Sequence, residues 1–205
     1  MTGPCLEEVA AVILAGGRSR RMGCDKALLE WGGRTLLDRA VSSMQALFSH
    51  VVVAGGEAAR YPEIPAPFVP DVLTGGGAVV GVHAGLAGVN TPRAFVLAVD
   101  APFPQDDLVR ALVALDPTAD WVVPRTAKGY EPLFAVYSQR CREVIEQQVA
   151  AGERRIMALA DQVRTRIVEI DWLRRHDPEL RSFVNINTPD DWRRWRAVDE
   201  EGKSS

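Results

Sequence analysis

Cysteine is scarce in this 205-residue chain: Cys5, Cys24 and Cys141 are the only three, an odd number without metal-ligand spacing. That excludes a disulfide framework and a cysteine-built zinc site, and reduced thiols in the cytoplasm are the expectation. Lysine is equally rare, at positions 26, 128 and 203, with arginine supplying every other cation. Positive charge in excess is missing as well. The 24 Lys and Arg face 27 Asp and Glu, for a formal net charge of -3, so no overall basic field calls for nucleic acid or an anionic membrane. No apolar run is long enough to span a bilayer, and the opening MTGPCLEEVA carries acids where a signal peptide would carry bases. The three histidines, His50, His83 and His176, stand apart from any triad or metal arrangement, and surface or packing roles are expected of them.

What is present is an ordinary globular composition, 47% apolar and 25% charged. The length suits one domain over residues 1–205, with a core from about 8 to 198 and a polar tail beyond. Short apolar runs, expected as buried strands, fall at 9–15, 51–54, 94–99, 121–123, 133–137 and 165–170. Helical spacing or composition marks 35–48, 78–88, 106–115, 139–150 and 154–163. A last helix opens at Thr188-Pro189-Asp190-Asp191, where a capping threonine precedes proline and an acid follows three residues on. Strands alternating with helices predict an α/β fold, a doubly wound and mainly parallel sheet. Ligands of such sheets collect outside the carboxyl ends of the strands.

Residues 14–26, LAGGRSRRMGCDK, follow the first strand and gather three glycines, three arginines and one lysine. Gly16 and Gly17 permit positive φ and close backbone approach to phosphate oxygens, Arg18, Arg20 and Arg21 add forked donors, and Lys26 adds a compact charge. Such a turn can hold a triphosphate; its plain alternative is a solvated basic turn. It is neither G-x-x-x-x-G-K-[ST] nor G-x-G-x-x-G. Asp100 closes AFVLAVD and precedes the stiff APFP, a place for a magnesium ligand or for a turn-stabilising carboxylate. Asp71, before TGGG, has the same two readings. Asn185 and Asn187 in NINTPDD have turn and cap chemistry as their default. Trp192 and Trp195, three apart, have core spacing.

With these residues in view, the chain resembles the molybdenum cofactor guanylyltransferase family of the nucleotidyltransferases. The pattern L-A-G-G-x-S-x-R-M-G-x-D-K is matched by Leu14, Ala15, Gly16, Gly17, Ser19, Arg21, Met22, Gly23, Asp25 and Lys26. Further matches are Asp100 with APFP, EPLFAVY at 131–137, AGERRIM at 151–157 and FVNINTPDDW at 183–192, in family order over roughly residues 10–196. The resemblance implies a three-layer, Rossmann-like sheet of the nucleotide-diphospho-sugar transferase type. It also implies transfer of GMP from GTP to the phosphate of molybdopterin, with release of pyrophosphate. On that pattern Leu14, Ala15, Gly16, Gly17, Arg21, Lys26, Asp71, Gly77 and Asp100 bind the nucleotide. Arg21, Lys26 and Asp100 are the catalytic set, Asp100 holds Mg²⁺, and Asn185 and Asn187 lie on the acceptor side. Transient contact with cofactor-delivery or molybdoenzyme proteins follows from the product.

Two departures fall on nucleoside recognition. A family G-P-L-A-G segment reads Gly77-Ala78-Val79-Val80-Gly81 here, and a family asparagine is replaced by Ala54. The alternatives are therefore a related enzyme using CTP or another phosphorylated acceptor, and a non-catalytic nucleotide-binding homologue. Arg154 and Arg155 either meet the acceptor phosphate or face water, and water is the expectation.

Overall fold

The computed structural model describes residues 5–15 and 25–202, with side chains as far as Arg196. Ten strands form: β1 (Val9–Leu14), β2 (Glu30–Trp31), β3 (Arg34–Thr35), β4 (Val51–Ala54), β5 (Phe68–Val69), β6 (Arg93–Ala98), β7 (Trp121–Thr126), β8 (Gly129–Tyr130), β9 (Phe134–Ser138) and β10 (Thr165–Glu169). The α-helices are α1 (Leu36–Gln45), α2 (Ala78–Ala87), α3 (Asp106–Leu115), α4 (Gln139–Ala150), α5 (Ile170–Leu173) and α6 (Pro189–Gly202). The main sheet runs β10-β7-β9-β6-β1-β4-β5, with β8 added to β7. Its pairs are parallel except where β9 meets β6 and β7, and where β8 meets β7. The expected mainly parallel sheet is present.

Strand β1 shows why the fold has three layers. All six of its residues are buried, so side chains alternating up and down must each meet a helical layer. Val9, Ala11 and Ile13 join a cluster with α1 and α3, while Ala10, Val12 and Leu14 join one with α2 and α4. The second layer sits close because α2 turns glycine toward the sheet: a Cβ built on Gly85 would overlap the Val12 side chain. This explains a helix that forms despite its glycines.

Several expectations need correction. The run 154–163 is not an α-helix. Gly152 turns the chain at φ +83°, and only a 3₁₀ stretch, Ile156–Asp161, follows. The proline-rich connector hides an edge strand, β5, held to two residues between Pro67 and Pro70, as proline at a sheet edge requires. The hairpin β2–β3, turning at Gly32 and Gly33 (φ +61° and +76°), and the short helix α5 carry no sequence expectation above. Helix α6 continues to Gly202, past the residue where a polar tail is expected. Among the described residues no helix is long and apolar enough to cross a membrane.

Candidate active site

Strand β1 lies between β4, reached next through α1, and β6, reached later through α2, so the strand order reverses beside β1, and at the carboxyl ends of such strands doubly wound sheets take ligands. Leu14 and Ala15 are buried there. The Val99 amide donates to the Leu14 carbonyl at 3.1 Å and the Ala15 amide to Ala54 at 3.0 Å. Gly16, Gly17, Arg18, Arg20 and Arg21 lie outside the described residues. The chain is described again from Asp25, whose carboxylate caps the short turn Lys26–Leu28 by accepting from the Ala27 amide at 3.1 Å.

That turn delivers Lys26 across the strand ends. Its Nζ donates to Asp100 Oδ2 at 2.7 Å and to Asn187 Oδ1 at 2.8 Å. The two charged side chains are 16% and 23% exposed. For ion pairs removed from water the desolvation cost can exceed the Coulombic gain, so the pair is weak evidence of a stabilising role. Asp100 Oδ1 has no hydrogen-bond partner among the described residues.

Aromatic packing joins the three segments. Phe103, in the turn after Asp100, meets Trp31 edge-on at 5.4 Å and Trp195 of α6 at 5.7 Å. The Arg181 guanidinium lies 5.3 Å from the same ring. The Ile186 amide donates to the Asp100 carbonyl at 2.8 Å, which lays the asparagine segment along the acidic strand tip. Thr188 and Asp191 then close a reciprocal cap: the Asp191 amide donates to Thr188 Oγ1 at 3.1 Å, and Asp191 Oδ2 accepts from the Thr188 and Asn187 amides. The Thr188 hydroxyl, those two amides and the Lys26 charge hold the Asp191 carboxyl below its usual range, against the effect of burial. Trp192 and Trp195 pack on the core, as their spacing predicts.

The other candidates are spread around this centre. Asn187 touches Lys26, whereas Asn185 is half-buried and has no hydrogen bond among the described residues. Asp71 is exposed; partial burial of its carboxyl raises its pKa, opposed by the charge of His83. Gly75, Gly76 and Gly77 all have positive φ (+104°, +66° and +96°), and Gly77 caps α2, so three successive positions require glycine. Ala54 is fully buried on β4. His83 is buried in a packing role, though with a partner the sequence did not suggest, Glu146 of α4 at 2.8 Å.

Two features escaped the sequence. Tyr61 donates to Asp25 Oδ2 at 2.6 Å and Arg60 pairs with the same oxygen at 2.7 Å. Burial and then the Asp25 carboxylate push the Tyr61 phenol up to about 12. No local signal links Tyr61 to a carboxylate 36 positions away, or Arg60 to the same group. Arg154 also departs from its expectation: instead of meeting only water, it donates to the Thr74 carbonyl at 2.8 Å. Arg155 does face solvent, paired with Glu153, whose carboxyl it pulls down to about 2.

For a metal, no group of three or more His, Cys, Asp or Glu gathers among the described residues. One strand-tip carboxylate with an available oxygen fits magnesium, which takes one or two protein carboxylates and completes its shell with phosphate and water.

Comparison with solved structures gives this architecture its class. It superimposes on the molybdopterin-guanine dinucleotide biosynthesis protein A of Archaeoglobus fulgidus with a TM-score of 0.83 at 26% identity, covering 94% of this chain and 100% of that one. The 2-C-methyl-D-erythritol 4-phosphate cytidylyltransferase of Thermus thermophilus shares the fold, with a TM-score of 0.70 at 21% identity over 93% of this chain and 98% of that one. The class is the nucleotidyltransferase fold of the nucleotide-diphospho-sugar type. Within it, residues 11–166 match the model of the MobA-like NTP transferase domain, and the chain belongs to that family. Among its relatives, a protein of Desulfosudis oleivorans named molybdenum cofactor guanylyltransferase is 35% identical over 98% of this chain and 100% of its own length. One of Pelotomaculum thermopropionicum, named probable molybdenum cofactor guanylyltransferase, is 35% identical over 96% of each.

Proposed function

We propose that this chain transfers GMP from GTP to the terminal phosphate of molybdopterin and releases pyrophosphate. The convergence of Lys26, Asp100 and Asn187 at the carboxyl ends of β1 and β6, 2.7 and 2.8 Å apart, carries this reading. An oxygen of the acceptor phosphate forms a bond to the α-phosphorus. The bond from that phosphorus to the oxygen bridging toward the β-phosphorus breaks, and its electron pair leaves with pyrophosphate. The attacking phosphate is anionic near neutral pH, so the reaction needs alignment and charge neutralisation more than a base.

Lys26 is the described cation for that task, exchanging its hold on Asp100 for phosphate oxygens; Arg21 of the same signature is the second. Asp100 would hold magnesium, and a bound ion would offset the negative charge that gathers on the phosphate oxygens. Asn187, already bonded to Lys26, links this centre to the acceptor side, which it shares with Asn185. The loop from Asp71 to Gly77 takes the nucleoside end, where Gly76 and Gly77, with no atom over their Cα positions among the described residues, leave the backbone open to a flat base.

The test is incubation of the protein with Mg²⁺, molybdopterin and each of the four nucleoside triphosphates, with products read by mass. A guanylylated product from GTP, with matching pyrophosphate, is expected. A cytidylylated product would instead mark the CTP enzyme, and triphosphates left intact in every reaction would mark a non-catalytic homologue.

A further inference from the structure

We infer that Arg154 is the positioning residue that shapes the nucleoside loop, and through it the choice of nucleotide. The inference rests on the proposed nucleoside role of residues 71–77. Arg154 Nη1 donates to the Thr74 carbonyl at 2.8 Å across 80 positions of sequence. Its guanidinium lies flat against the next residue, so that a Cβ built on Gly75 would overlap the side chain's terminal atoms. Gly75 is thus glycine for two reasons, its φ of +104° and the arginine packed on it.

The arginine's own platform is rigid. Buried Gln148 of α4 donates to the Arg155 carbonyl at 3.0 Å, and its backbone carbonyl accepts from the Glu153 amide at 2.9 Å. Gly152 supplies the turn that carries Arg154 back over the loop. Leu73 on the loop side, and Ile156 and Met157 on the arginine side, pack against the same core cluster. No other side chain donates a hydrogen bond to residues 74–77 among the described residues. A planar guanidinium that both bonds a carbonyl and covers a glycine face does what an ammonium cannot.

Arg154→Met and Arg154→Lys test this, with thermal melts recorded for both. GTP affinity is measured by titration without molybdopterin, then kcat and KM are measured for GTP, CTP and molybdopterin. Losing one charge-assisted bond to the loop should weaken GTP binding about tenfold. The GTP-over-CTP ratio should fall by a similar factor, while kcat and the molybdopterin KM stay within about twofold. Arg154→Lys should be impaired in the same direction, and it decides the matter should the methionine variant fail to fold. Full selectivity in Arg154→Lys, unchanged GTP binding in Arg154→Met, or a change confined to the molybdopterin KM would each overturn the inference. Failure of the unmodified protein to bind GTP would count against the functional reading itself.

Discussion

The proposed phosphate end and the proposed nucleoside end of the site are held by different physics. Lys26, Asp100 and Asn187 come from three distant segments, yet Trp31, Phe103 and Trp195 stack those segments together, and the Ile186–Asp100 backbone bond aligns two of them. The nucleoside loop has three successive positive-φ glycines, a neighbouring Val72 that is 69% exposed, and one arginine across it. Charge-neutralising groups act by being preorganised, and a packed aromatic cluster provides that. A loop with few buried contacts belongs to the less stable part of a fold and can adjust to its ligand. On the family pattern both departures bear on the nucleoside end, and neither falls on Lys26 or Asp100.

Substitutions can break this contrast. Phe103→Ala empties the middle of the aromatic stack and should cost about 3–5 kcal/mol in denaturant unfolding, loosening the Asp100 turn with it. Exposed Val72→Ala should stay within about 0.5 kcal/mol in the same measurement; equal losses would erase the distinction. Gly85→Ala forces a methyl into Val12 and should cost about 1–3 kcal/mol by overpacking. It lifts α2 from the sheet, so GTP affinity should weaken more than kcat falls. Ala78→Pro sharpens the contrast from the other side. Ala78 is the first residue of α2, where proline gives up no helical bond, and about 0.4–1 kcal/mol of added stability is expected in thermal melts.

Much of this was legible in the sequence because its signals were local. Buried strands read as apolar runs, and the helix opening at Thr188 read as a cap that the Thr188–Asp191 bonds bear out. Lys26 and Asp100 could be named singly, one by its glycine-rich approach and the other by its place at a strand tip. Their meeting could not be read, since 74 residues separate them and only the sheet order brings β1 beside β6. The misread helix at 154–163 had helix-forming residues but followed a glycine at φ +83°. A carbonyl acceptor such as Thr74 leaves no trace in residue type, so Arg154 looked like a solvated charge. Tyr61 and Arg60 were hidden in the same way, their purpose set by a carboxylate on another segment.

Lys26→Ala, assayed for pyrophosphate release at saturating GTP beside its thermal melt, tests the central claim most directly. Turnover should fall on the order of 10²–10³-fold, with the melting temperature moved by no more than about 4 °C. A variant that turns over at full speed, or one whose lost activity is matched by lost folding, would contradict the placing of phosphate chemistry at the ends of β1 and β6.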